Sequence, residues 1–212
     1  TSSITEVCLG TMSGTLNLAS HTGAIEQWES ATNLSGPWTA IANTTTTYTF
    51  PNLSQTTYVR VKVVSHGLAL GCNSSLPAYS NILTITVNPT TVGGNTTVAG
   101  NATVCQGTNS GSINLSAQVG SVTSWEYSIN GGANWLAISN TANQTTYNFS
   151  GLSQTTQFRA VVKSGACLIE ASSATTITVL ALTQAAVSNL EVCTASTVQI
   201  RGNASVGTEI GT

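Results

Sequence analysis

The feature that most narrows the possible folds of this chain is an internal duplication. The stretch VCLGTMSGTLNLA around Cys8 returns as VCQGTNSGSINLSA around Cys105. Trp28 and Trp125 each follow their cysteine by 20 residues and each precede a glutamate. Trp38 and Trp135 follow by 30, with Ile41 and Ile138 three further on. Tyr48 and Phe50, like Tyr147 and Phe149, lead into an identical LSQTT, and a stretch holding Arg60 or Arg159 comes next. Each unit closes with a second cysteine, Cys72 or Cys167, and a Thr-rich apolar run. A third start stands at Glu191-Val192-Cys193, without a further Trp or Cys after it. Self-similarity at this period marks a tandem array of one module. A single large barrel is the competing architecture for 212 residues, and duplication argues against it.

Each unit predicts seven short strands. The clearest is the sixth, where Val59, Val61 and Val63 alternate with Tyr58, Arg60 and Lys62; period 2 is the mark of a sheet with one buried face. Thr, Ser and Asn make up 80 of the residues, with Val, Ile and aromatics in short runs among them, a composition suited to strands and turns. Seven alternating strands, a Trp in the third and an aromatic corner near the sixth describe an all-β fold of tandem immunoglobulin or fibronectin-III-like β-sandwich repeats. The expected boundaries are residues 1–88 for repeat 1, 89–97 for a linker, 98–180 for repeat 2, and 181–212 for a linker and the start of a truncated repeat 3. The turn formers of the first linker predict a bendable junction, and the apolar second linker a stiffer one. The chain reads as a piece of a longer mature protein.

Charge excludes several functions. Five Lys and Arg give no phosphate-tracking stripe, so nucleic acid is not an expected partner. No run of 18 apolar residues predicts membrane insertion. All seven carboxylates are Glu and there is no Asp, which leaves no EF-hand-type calcium loop and no Ser-His-Asp set. Glu29 and Glu126 match as a pair, but at one per repeat they are not expected within the roughly 10 Å that glycoside hydrolysis needs. His21 and His66 have no counterparts in the second unit. No catalytic residue, metal site or cofactor is expected.

Five cysteines predict disulfides and an oxidising, extracytoplasmic setting. Recurrence of the pair predicts Cys8 with Cys72 and Cys105 with Cys167, leaving Cys193 unpaired by truncation; buried free thiols are the plainer alternative. A Cys8–Cys72 bridge would hold the 63 residues between them out of reach of tension, withholding roughly 200 Å per repeat. Trp28, Trp38, Trp125 and Trp135 are expected in the core, with a sugar-binding platform as the alternative. The stretch from Ser128 through Asn130, Gly131 and Gly132 to Trp135 resembles the Asp-box turn, and Asn-Gly-Gly is a natural hairpin turn. Arg60 and Arg159 are expected on the solvated face, stacked on a neighbouring aromatic.

The whole unit, best matched at Trp125, Ser128, Asn130, Gly131, Gly132 and Trp135, resembles the repeats of very large Bacteroidota cell-surface proteins. It is similar in particular to the gliding-motility adhesin of flavobacteria exported by type IX secretion. The first unit departs from that pattern over residues 31–37. The resemblance implies an extracellular stalk that gives reach, display and force transmission. Its partners would be neighbouring repeats, surface polysaccharide, or other cell-envelope and secretion proteins. A carbohydrate-binding module and an accessory region of a secreted hydrolase are the alternatives.

Overall fold

A computed structural model describes residues 5–10, 13–64 and 77–181. The strands of the first sandwich are β1 (Glu6–Cys8), β2 (Gly14–Asn17), β3 (Ala24–Ala31), β4 (Thr39–Ile41), β5 (Thr47–Phe50), β6 (Thr57–Val64), β7 (Pro77–Tyr79) and β8 (Leu83–Asn88). Those of the second are β9 (Asn95–Ala99), β10 (Thr103–Cys105), β11 (Ser110–Ser116), β12 (Ser121–Ser128), β13 (Leu136–Ile138), β14 (Thr146–Ser150), β15 (Thr156–Lys163), β16 (Ile169–Ala171) and β17 (Thr175–Leu180).

The larger sheets run β1-β8-β6-β3-β4 and β10-β17-β15-β12-β13, with β7 on β6 and β16 on β15. Facing them are β2-β5 and β14-β11-β9. Two antiparallel-dominated sheets over one core in each unit are the expected immunoglobulin-like sandwich. Two features depart from the seven-strand expectation. The segment before the last strand forms a short hairpin partner, β7 or β16, and β9 lies partly inside the expected linker.

Alternation drives the packing. Strand β6 is buried at Val59, Val61 and Val63 and half-exposed at the residues between, so one face meets the core and the other water. The first core gathers Val7, Leu16, Trp28, Phe50 and Ile85 around those valines; the second gathers Ile113, Trp125, Phe149, Phe158, Val162 and Ile177. Each central indole N–H is satisfied alike, Trp28 donating to Thr45 O at 2.9 Å and Trp125 to Gln144 O at 2.8 Å. A buried tryptophan needs such a partner. The glycine of the repeated Ser-Gly pair faces an aromatic across the sheet, Gly14 opposite Phe50 and Gly111 opposite Phe149. A Cβ at either would meet the ring at 2.5 Å.

One pairing sets the polarity of each unit. Strand β1 runs parallel to β8, with Cys8 level with Asn88, and β10 runs parallel to β17, with Cys105 level with Leu180. The first cysteine of each unit therefore lies at the pole where the chain leaves that unit. The β15–β16 loop, residues 164–168, lies at the opposite pole of the second sandwich, because Lys163 ends β15 ten ladder positions away from Leu180. Ten positions span roughly 33 Å.

Candidate functional site: a covalent junction between the sandwiches

That polarity overturns both expected disulfides. Cys8 is bonded to Cys167, with a Cα–Cα distance of 4.8 Å, and Cys105 is a free, exposed thiol. Cysteines can bridge only when their Cα atoms approach within about 7 Å, whereas Cys105 and Cys167 sit at opposite ends of one sandwich. Cys8, at the exit pole of the first sandwich, meets the loop at the entry pole of the second. Cys72 and Cys193 lie outside the described residues. The bridge joins neighbours and does not close a unit, so the expected 63-residue shielded loop gives way to one of sequence separation 159.

The backbone around the bridge is held on both sides. Leu9 N donates to Asn88 O at 2.9 Å, fixing the end of β1 against the end of β8. Beyond it, Ser164 N donates to the buried Thr91 hydroxyl at 3.0 Å. Val92 and Val119 exchange backbone hydrogen bonds of 3.2 and 3.0 Å, and Ser173 N donates to Gly94 O at 3.0 Å. Cys167 Sγ lies 3.3 Å from Pro89 O; as a disulfide sulfur it carries no proton, so this is a packing contact. A cleft lined by Cys8, Thr90, Thr91, Ala166, Cys167 and Leu168 marks the seam.

The connection expected to be loose is thus tied down almost from its start. Turn formers suggested flexibility, but Gly93 is there because its Cα packs directly under the Ala171 carbonyl, where a Cβ would collide. Gly94 takes a φ of +80° to turn the chain into β9. Only Pro89 and Thr90 separate the Asn88 carbonyl bonded by Leu9 from the buried Thr91. Beyond Ala181 the second expected linker lies outside the described residues.

A second repeated cluster decorates the outer face of each large sheet. Arg60 Nε pairs with Glu29 Oε2 at 2.7 Å, and Arg159 Nη2 with Glu126 Oε2 at 2.7 Å. The Arg60 guanidinium is sandwiched between Trp38 and Tyr79, 4.0 and 4.1 Å from the ring centroids; Arg159 lies 4.1 Å over Trp135. Burial alone would raise the Glu29 carboxyl. Hydrogen bonds from Arg60 and Gln27, with the charges of Arg60 and Lys62, outweigh it and hold the group below the usual carboxylate range.

This cluster corrects the expected roles of two tryptophans. Trp28 and Trp125 are core residues at 3% and 0% exposure. Trp38 and Trp135 are half-exposed under arginines on the outer face. They immediately precede β4 and β13, and β4 and β13 are too short for alternation to reveal a face. The stacked guanidinium covers the ring face turned toward it in Trp38 and in Trp135. The stacking expected for Arg60 and Arg159 is present.

The hairpin turn forms as expected. Ser128 Oγ donates to Asn130 Oδ1 at 2.8 Å and accepts from Gly132 N at 2.9 Å, while Asn134 N donates to Asn130 Oδ1 at 2.9 Å. Gly131 and Gly132 have φ of +70° and +87°, the left-handed region that glycine occupies without strain.

One organising residue carried no sequence signal. Asn109 is buried and clamps the exit pole of the second sandwich. Its Nδ2 donates to Cys105 O and Leu152 O at 2.8 Å each, and its Oδ1 accepts from Leu152 N at 2.8 Å. Met12 stands at the matching place in the first unit, so comparing the two units hides the role. Among the described residues no cluster of three or more His, Cys or Glu could hold a metal ion.

Among solved structures the chain is similar to a marsupial T cell receptor, at 13% identity, TM-score 0.56, over 85% of this chain and 73% of that one. It is also similar to fibronectin(III)-like modules of CbhA from Clostridium thermocellum, at 10% identity and TM-score 0.36, over 84% and 89%. A third likeness is to the chicken CNTN1 FN1-FN3 domains, at 14% identity and TM-score 0.39, over 84% and 64%. At these identities the likeness concerns the fold alone. No curated protein matches the chain. One family does, and it matches twice, over residues 1–89 and again over 94–181, in step with the two sandwiches. The chain therefore belongs to the family described as a domain of unknown function, DUF8696, and carries two copies of its domain.

Proposed function

We propose that this chain is a spacer segment of an exported cell-surface protein, in which successive sandwiches are locked end to end to give reach and carry load. The observation that supports this reading best is the Cys8–Cys167 bond, which ties the exit pole of one repeat to the entry pole of the next. A bond placed there constrains the angle and separation of two modules and does nothing for catalysis inside either. Disulfides persist in oxidising compartments, which supports an extracellular location. The repeat motif supports a parent of the giant surface-adhesin kind, associated with attachment, gliding motility and type IX secretion.

The test is made in the parent protein, by deleting or adding whole repeats and measuring the height of a distal epitope above the cell. A spacer gives a height that changes in proportion to repeat number, whatever the identity of the repeat removed. Height that is indifferent to repeat number, with glycan binding by the 212-residue chain itself, would replace the spacer with a carbohydrate-binding role.

A further inference from the structure

We propose that Cys105 is the outgoing half of a second bridge of the same kind, to the β15–β16-type loop cysteine of a following copy of this module. Successive repeats are then laced by one interdomain disulfide per junction. The inference rests on the reading of the chain as part of a tandem array.

The second sandwich reproduces at Cys105 the setting that makes Cys8 a bridge. Cys8 ends β1, level with Asn88 at the end of β8; Cys105 ends β10, level with Leu180 at the end of β17. Leu9 N donates to Asn88 O at 2.9 Å, and Gln106 N donates to Leu180 O at the same distance. Thr86 N donates to Thr5 O at 2.8 Å, and Thr178 N to Ala102 O at 2.7 Å. Both cysteines stand where the chain leaves their unit. One is buried in a bond to the next unit, and the other is exposed and free. Asn109 adds rigidity by holding the Cys105 carbonyl against Leu152 O and N, so the thiol is displayed on an ordered pole.

Forming the bond removes one hydrogen from each thiol. Two protons and two electrons pass to a small-molecule disulfide or a thiol–disulfide oxidoreductase, which leaves as two thiols. The Cys105 thiolate displaces one thiol to give a mixed disulfide, and the second cysteine displaces the other.

The test is a chain of residues 1–180 followed directly by a second copy of residues 89–180, which places a copy of Cys167 where Cys167 itself stands relative to Cys8. The protein is oxidised with glutathione disulfide, alkylated and peptide-mapped without reduction. The expected result is Cys105 bonded to the copied Cys167, a Cys8–Cys167 bond in the same molecule, and loss of Cys105 alkylation. Cys105 alkylated while Cys8–Cys167 remains intact would overturn the proposal in a protein shown to be folded. Absence of both bonds would overturn it too, since the first is its premise. A Cys105→Ser version should keep Cys8–Cys167 and leave the copied Cys167 alkylated; the copied Cys167 protected from alkylation in that version would also count against it. None of these outcomes bears on spacing above the cell, which the epitope-height experiment decides alone.

Discussion

Pulling the chain by its two ends converts the position of the disulfide into a length. The bond joins residues 159 apart in sequence, so the 158 residues between them cannot be drawn out while it is intact. At about 3.4 Å per extended residue, roughly 540 Å of contour is withheld. Only the 7 residues before Cys8 and the 45 after Cys167 can straighten, roughly 180 Å in all. Reduction should release two steps, one per sandwich. Each sandwich contains a little over 80 residues and would lengthen by roughly 250 Å after its folded length of about 35 Å is subtracted. Single-molecule force spectroscopy with and without dithiothreitol reads these steps directly. Two steps of about 250 Å without reductant would refute the reasoning, because no chain bridged at Cys8 and Cys167 can produce them.

Four further outcomes follow from the packing. Arg60→Ala strips the cover from Trp38 and Tyr79 and leaves Glu29, 7% exposed, without its ion-pair partner; the cost should be about 2 kcal/mol, read from chemical denaturation. Arg159→Ala should cost less, because the Glu126 side chain is 19% exposed against 9% for Glu29. The Glu29 carboxyl sits below its unfolded value of about 4.3, so its contribution is complete above that pH and is lost as pH falls through the lower folded value. The stability advantage of wild type over Glu29→Gln should therefore shrink with acidification below about pH 4, and parallel curves would contradict the ion pair. Gly93→Ala should destabilise the junction by about 2 kcal/mol or more, through collision with the Ala171 carbonyl. It should also make Cys167 reducible at lower dithiothreitol; an unchanged midpoint would contradict the close packing there.

Much of the fold was legible because period-2 burial is written into the residues themselves. Val59, Val61 and Val63 announce their face, and so do Trp28 and Trp125 in eight-residue strands. Trp38 and Trp135 adjoin three-residue strands, β4 and β13, where alternation has too few positions to distinguish the core from the outer face. The linker differs from its expected looseness because Gly93 and Gly94 signal turns equally well whether the turn is free or packed under a carbonyl. The disulfides were beyond reach for a different reason. Pairing within each unit and pairing between neighbours are equally periodic, so recurrence of the cysteines cannot separate them. What separates them is the pole at which each cysteine emerges, and that depends on the parallel β1–β8 and β10–β17 pairings, which no local pattern records.

The measurement closest to the central claim is a non-reducing peptide map of the oxidised, alkylated 212-residue chain. A covalent junction requires the Cys8 peptide linked to the Cys167 peptide, with Cys105 recovered as a free, alkylated thiol. Recovery of Cys8 with Cys72, or of Cys105 with Cys167, would mean that each sandwich is closed on itself and that the junction carries no bond.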